Sequence, residues 1–352
     1  MKIGRHKFLS NKKFMIEKNQ TLKNINLIYL IVIFFLVSCK TKESNIPIKY
    51  DNIIIFSDLS NRLDRTISTN LPASDTIVIN RIIDFFVSDC VKPGIKNNDR
   101  SSILYSFLNP ISYNLPKSKI DLEEEFPNVS DIKSKQAYVN NTCQTKNISC
   151  DIIDLKLSIK RIYNNYKKFS NNYGLDILNL INDKIKNSNL IKKTVVTHTE
   201  LGTSKRLYDN HLFIFTDGYL EYYSKGAVKS RYFDYKKIET IRDFCIKKKC
   251  YPKEAIDKYS YLPRLPHLFS IINKDIALYI METNDRHYDK NTGSNLYENG
   301  LTDNDILKAV WKKWAKDSGF KKFVWQKINL NQNEINLNYV KNIVRQKNGF
   351  VD

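Results

Sequence analysis

The sequence predicts an α/β fold, a mostly parallel sheet with helices on both faces. Three observations predict it. Continuous apolar runs, Ile53-Ile54-Ile55-Phe56 and Leu212-Phe213-Ile214-Phe215 above all, have the composition of strands buried on both faces. Segments with apolar residues at helical spacing separate such runs, the pattern of strands joined by crossover helices. Both runs also end at an acidic loop, at Asp58 and Asp217, and in sheets of this kind ligands bind beyond the carboxyl ends of the strands.

The first segment in chain order is a leader. Leu27 to Val37 is an eleven-residue apolar run behind a basic stretch. A bilayer core needs about 20 apolar residues, so the run fits a signal-peptide core better than a membrane-spanning helix. Leu36-Val37-Ser38-Cys39 closes it and resembles the lipobox of bacterial lipoprotein precursors. The resemblance implies a diacylated, palmitate-bearing Cys39 that becomes the mature amino terminus. It also implies a membrane partner through that anchor and a place in the cell envelope. Lys40 follows the cysteine where inner-membrane retention is associated with aspartate, which favours the outer membrane. Met15 offers a second start with a leader of ordinary length, and an uncleaved anchor helix is the alternative reading.

A tether, residues 39–50, then leads into the main domain, expected over 51–330. Its first strand is Ile53 to Phe56. A helix from about Asp75 to Val87 follows, with Ser74 or Asp75 able to cap it and Ile79, Ile82, Ile83 and Phe86 on one face. Ile103 to Phe107 reads as a second strand, with a short partner near Ile111 to Leu115. Residues 117–150 lack regular spacing and read as a surface insertion. Ile152, Leu155, Ile159, Ile162, Tyr166 and Phe169 mark a helix, and Ile177, Leu178, Ile181 and Ile185 mark another starting near Asp176. Leu212 to Phe215 is the next strand. Residues 219–274 read as a second insertion, with an amphipathic piece at Lys237 to Ile246. Ile276 to Ile280 is a strand, Thr302 to Ser318 a helix capped by Thr302 or Asp303 and stopped at Gly319, and Phe323 to Trp325 a last strand. The tail, 331–352, reads as a peripheral helix.

The formal charge of +20 shrinks once the leader is set aside. Residues 1–38 carry seven Lys or Arg and one Glu, so the mature chain of 314 residues holds about +14. Its lysines are scattered, and the densest run, Lys247 to Lys249, is too short for a binding face; nucleic acid is therefore not expected as a partner. With Cys39 spent on lipid, Cys143 with Cys150 and Cys245 with Cys250 are the candidates for local disulfides, and Cys90 is left as a buried thiol. Neither pair has C-x2-C spacing or a nearby histidine, which argues against zinc. There is no H-E-x-x-H, no nucleophile elbow and no G-x-G-x-x-G, so hydrolytic triads and glycine-rich phosphate loops are not indicated.

The chemistry concentrates at the two strand ends. Two carboxylates and a hydroxyl from neighbouring loops, Asp58, Ser60 and Asp217, could hold a hard divalent cation such as Mg, Mn or Ca. Asn61, Arg62, Asp176, Thr216 and Gly218 would form the surrounding rim, with Gly218 allowing a tight turn after Asp217. Asp58-Leu59-Ser60, the following helix and strand, and Leu212 to Gly218 with its Thr216-Asp217-Gly218 resemble the von Willebrand factor A domain, a Rossmann-like fold. That family's metal-ion-dependent adhesion site uses D-x-S-x-S, a threonine from a later loop and the aspartate of T-D-G. The chain departs from it twice. Arg62 stands at the second serine, and Leu175 stands where T-D-I would place threonine, ahead of Asp176-Ile177; Thr142, Thr145 and Thr197 are substitutes in weak contexts. Arg62 could itself neutralise Asp58 and Asp217 in place of a cation, which would make the site metal-free.

The resulting expectation is a non-enzymatic, membrane-anchored domain that binds a protein or peptide. Two alternatives remain open from sequence: a metal-dependent envelope hydrolase of phosphate esters using the same carboxylates, and a structural component of an envelope assembly.

Overall fold

The computed structural model describes residues 48–59, 63, 71–91, 100–108, 115, 117–126, 132–139, 147–165, 176–187, 190–199, 202–220, 233–267, 271–286 and 300–350. The chain divides into two compact units, residues 1–47 with 198–204 and residues 48–197 with 205–352. Of the first, only 198–199 and 202–204 are described. Cys39, Ser60, Asn61, Arg62 and Cys143 lie outside the described residues, as do Thr142, Thr145 and Leu175. Among the described residues, no helix is long and apolar enough to cross a membrane.

The strands are β1 (Ile48–Ser57), β2 (Ser102–Phe107), β3 (Lys119–Asp121), β4 (Val195–Thr199), β5 (Gly202–Phe215), β6 (Ile276–Thr283) and β7 (Lys322–Lys327). The helices are α1 (Leu71–Phe85), α2 (Leu122–Glu125), α3 (Ile132–Val139), α4 (Ile148–Asn164), α5 (Ile177–Asn187), α6 (Tyr235–Lys248), α7 (Pro252–Lys258), α8 (Asp303–Asp317) and α9 (Leu337–Arg345). The sheet runs β3-β2-β1-β5-β6-β7, with β4 paired to β5 off that path. Only β3 within the main path is antiparallel to its neighbour. With β4 set aside, this is the doubly wound order 3-2-1-4-5-6, whose direction reverses between β1 and β5. An α/β fold with a mostly parallel, Rossmann-like sheet is therefore present.

Side-chain alternation splits the core in two. Ile53, Ile55, Phe213, Phe215, Tyr279 and Met281 face one layer with α1, α4 and α9. Ile54, Phe56, Leu212, Ile214, Leu278 and Ile280 face the other, with α5, α6, α7 and α8. Each such strand side chain is essentially removed from water, worth about 1.5–3 kcal/mol apiece relative to exposure. This double burial is why the runs are continuous rather than alternating.

Most helix starts carry their cap. Asn147, Asp234, Thr302 and Asn336 accept from the backbone N–H three residues on, at 2.9 to 3.1 Å, which satisfies a donor that the first turn leaves open. The first helix is different. It begins at Leu71, so Ser74 and Asp75 lie inside it and point into the core instead of capping it.

Three expected regions are corrected. The described parts of the segment 117–150 are not a surface insertion: they supply β3, which pairs with β2, and they bury Ile120, Leu122 and Tyr138. The antiparallel partner of β2 among the described residues is Lys119–Asp121; residues 111–114, where a partner was expected, lie outside them. Residues 219–274 include α6 and α7, which cross between the parallel strands β5 and β6 and bury Ile238, Ile241 and Ile256. Parallel pairing requires such a crossover. The tail is helical but not peripheral, because Ile335, Val340 and Ile343 enter the core beside α1.

Candidate functional site

β1 and β5 are parallel neighbours at the point where the strand order reverses, and both acidic loops leave the sheet there. The ladder continues past the strand ends. Asp58 N donates to Phe215 O at 2.9 Å, and Thr216 N donates to Met281 O at 3.2 Å. These bonds fix the backbone on which the site residues stand. Asp58 and Asp217 are each 2% exposed.

Within the loop after β5, each residue has a distinct task. The Thr216 hydroxyl donates to Asp58 Oδ2 at 3.2 Å and accepts from Gly218 N at 3.3 Å, so it ties the two loops together. Asp217 Oδ1 accepts from Tyr219 N at 3.1 Å, a local turn that the side chain imposes on its own backbone. Gly218 has φ +91°, and a Cβ there would lie 2.7 Å from the Trp325 ring. Its carbonyl accepts from Trp311 Nε1 at 2.8 Å. Backbone angle and space both select glycine.

Arg286, three residues beyond β6, neutralises Asp217. Its Nε and Nη2 donate to Asp217 Oδ2 at 2.9 and 2.6 Å, and its guanidinium lies 4.1 Å from the centroid of the Tyr219 ring. The Tyr219 hydroxyl donates to Asp303 Oδ2 at 2.6 Å, and Arg242 pairs with the other oxygen of Asp303. Burial, then the Asp303 charge, keeps that phenol protonated well above its ordinary range. An alternating chain of Asp217, Arg286, Tyr219, Asp303 and Arg242 thus lines one side of the strand ends.

The other side is built from acids and hydroxyls. Tyr163 donates to Asp75 Oδ2 at 2.8 Å and lies 2.9 Å from Ser57 Oγ. Ser74 donates to Glu282 Oε2 at 2.5 Å. Asp75 and Glu282 are fully buried. Glu282 also holds φ +60°, where the β6–β7 register shifts between Ile280 and Thr283. That backbone costs a non-glycine residue about 1–2 kcal/mol, which the surrounding packing and the Ser74 bond must offset.

Of the residues picked from sequence, Asp58, Thr216, Asp217 and Gly218 come together. Asp176 instead caps α5, accepting from Asn179 N at 3.2 Å and Asn179 Nδ2 at 2.7 Å. Thr197 is exposed on β4. Cys150, Cys245 and Cys250 are thiols, as is the buried Cys90. Arg286, Glu282, Tyr163 and the inward-facing Ser74 and Asp75 were not anticipated. Glu282 could have been found by the rule that found Asp58, since it too follows an apolar strand run. Arg286 carries no such signal.

Of the expected donor set, Asp58 and Asp217 are described and Ser60 is not. Asp217 Oδ2 already receives two guanidinium N–H groups, and a divalent cation at that oxygen would have to displace a positive charge. Among the described residues, no group of three or more His, Cys, Asp or Glu is arranged to hold a metal ion. Compared with known proteins, the chain matches no family model and no curated protein.

Proposed function

We propose that the chain is a lipid-anchored envelope protein whose domain, of von Willebrand factor A type, binds a protein or peptide at the Asp58 and Asp217 rim without catalysing a reaction. The anchor rests on the Leu36 to Cys39 motif, and the outer membrane on Lys40. The observation that carries the binding reading is the placement of the two acidic loops on adjacent parallel strands where the strand order reverses, where such sheets present their ligand sites. Arg286 on Asp217 supports a metal-independent version, with the guanidinium in the role that a cation plays in the resembled adhesion site.

Two measurements test this. Chemical crosslinking of the membrane-anchored chain with a lysine-reactive reagent should capture a discrete envelope protein, with the adduct lost on Asp217→Ala; adducts indifferent to Asp217→Ala would argue against the rim. Isothermal titration with magnesium or manganese should give no binding to the native chain. Binding that disappears with Asp217→Ala would replace the metal-independent version by the metal-dependent one. The anchor is tested separately by labelling with radioactive palmitate, which Cys39→Ser should abolish.

A further inference from the structure

Helix α6 ends in a turn whose backbone brings two cysteines together. Lys249 adopts φ +50° and ψ +47°, Lys249 N donates to Ile246 O at 3.3 Å, and Cys250 N donates to Cys245 O at 3.1 Å. This pair of bonds is a Schellman ending, in which the residue after the left-handed position packs against a residue of the last helical turn. Those two positions are held here by Cys250 and Cys245. The turn therefore sets the Cys250 side chain beside that of Cys245, with Cys245 buried and Cys250 partly exposed. Lysine stands at the left-handed position where glycine is usual, so the turn is held against a steric cost that a covalent tie would help to meet.

We propose that Cys245 and Cys250 form a disulfide by thiol–disulfide exchange, closing the end of α6 covalently. Cys250, as thiolate, attacks a sulfur of a disulfide oxidant, forming a mixed disulfide and releasing one thiolate of that oxidant. Cys245 then gives its proton to solvent and attacks the Cys250 sulfur, which forms the Cys245–Cys250 bond and expels the second thiolate. The two cysteines lose two electrons and two protons; the oxidant takes up both electrons and leaves as two thiols. Burial, with the neighbouring Cys250, pushes the Cys245 thiol up to about 12, so the more exposed Cys250 is the one that meets the oxidant first. The inference does not depend on what binds at the carboxylate rim.

The test uses the full chain equilibrated in oxidised and reduced glutathione, quenched by alkylation and digested with trypsin. Cleavage at Lys247, Lys248 and Lys249 separates the two cysteines, so the bond would join the peptide 243–247 to the peptide 250–253. This linked pair should dominate as the oxidised fraction rises, before glutathione adducts accumulate on the exposed Cys150. Lys249→Gly should retain it. Lys249→Val, which disfavours the left-handed turn, should lower the linked fraction several-fold at a fixed glutathione ratio, with circular dichroism confirming that both variants fold. Alkylated thiols at every ratio, a lasting glutathione adduct on Cys250 without the linked pair, or pairing with Cys90, Cys143 or Cys150 would overturn the proposal. So would a linked fraction indifferent to Lys249→Val.

Discussion

The two ends of the sheet handle acidic side chains in opposite ways. At the amino end, Glu123 meets Arg100 at 3.0 Å, Arg206 at 3.1 Å and Lys192 at 3.5 Å, and Tyr208 donates to it at 2.7 Å. Lys192 also reaches Asp121 at 2.7 Å. Cations crowd the partly exposed Glu123 and the buried Asp121, and solvent screens the pairs that Glu123 makes. At the carboxyl end, Asp58, Asp75, Asp217 and Glu282 are buried, and hydroxyls of Thr216, Tyr163 and Ser74 serve three of them while Arg286 serves Asp217. Low dielectric makes each of these contacts stronger and each loss costlier. One end pairs acids with several cations near solvent; the other holds its acids buried, most of them on hydroxyls.

The largest expected effect comes from the carboxyl end. Gly218→Ala should destabilise by about 2–4 kcal/mol, since it combines a left-handed backbone cost with overpacking against Trp325; urea unfolding measures it, and a loss below 1 kcal/mol would mean that the loop after β5 can relax. Asp217→Asn should cost about 1–3 kcal/mol by removing the charge that Arg286 faces. Because Asp217 is buried, the loss should change little between low and high salt.

At the amino end, Glu123→Gln should cost less, about 0.5–1 kcal/mol after solvent screening, and the loss should shrink in high salt. Its pH dependence has a definite sign. Burial alone would raise the Glu123 carboxyl, but the Tyr208 hydrogen bond and the charges of Lys192, Arg100 and Arg206 hold it below the ordinary glutamate value of 4.5. A carboxyl depressed on folding contributes stability that is present above its unfolded value and lost as pH falls through its folded value. The native chain should therefore lose stability below about pH 4.5, and Glu123→Gln should flatten that limb; an unchanged limb would assign it to other acids. The smallest effect is expected for Lys321→Ala, whose exposed pair with Asp209 at 3.1 Å should be worth about 0–1 kcal/mol.

Legibility in the sequence followed the range of the interactions involved. The strand runs at Ile53, Leu212 and Ile276 and the helices α4, α5, α6 and α8 depend on patterns within a few turns of chain, and they appear where the periodicity predicts them, save that Tyr166 and Phe169, expected on α4, lie outside the described residues. The short strand β3 was missed because three residues carry no periodicity. The polar first half of β5 was missed because it lacks the apolar run that marks a buried strand. Helix α7 is one Pro-initiated stretch of seven residues, too short for a helical face to show.

The candidate site divides the same way. Asp58 and Asp217 are visible because each directly follows an apolar strand, and Gly218 because a turn must follow it. The sequence by itself therefore determined the fold class, the two acidic strand ends and the cysteine spacing across the end of α6. Only the tertiary structure decided that Arg286, 69 positions away, would neutralise Asp217, and that Ser74 would turn inward to Glu282. It also decided that Lys249 would take the left-handed turn that brings Cys250 back to Cys245. Local patterns encode burial and helix ends, but which charge meets which acid depends on crossovers and register shifts that no short window of sequence contains.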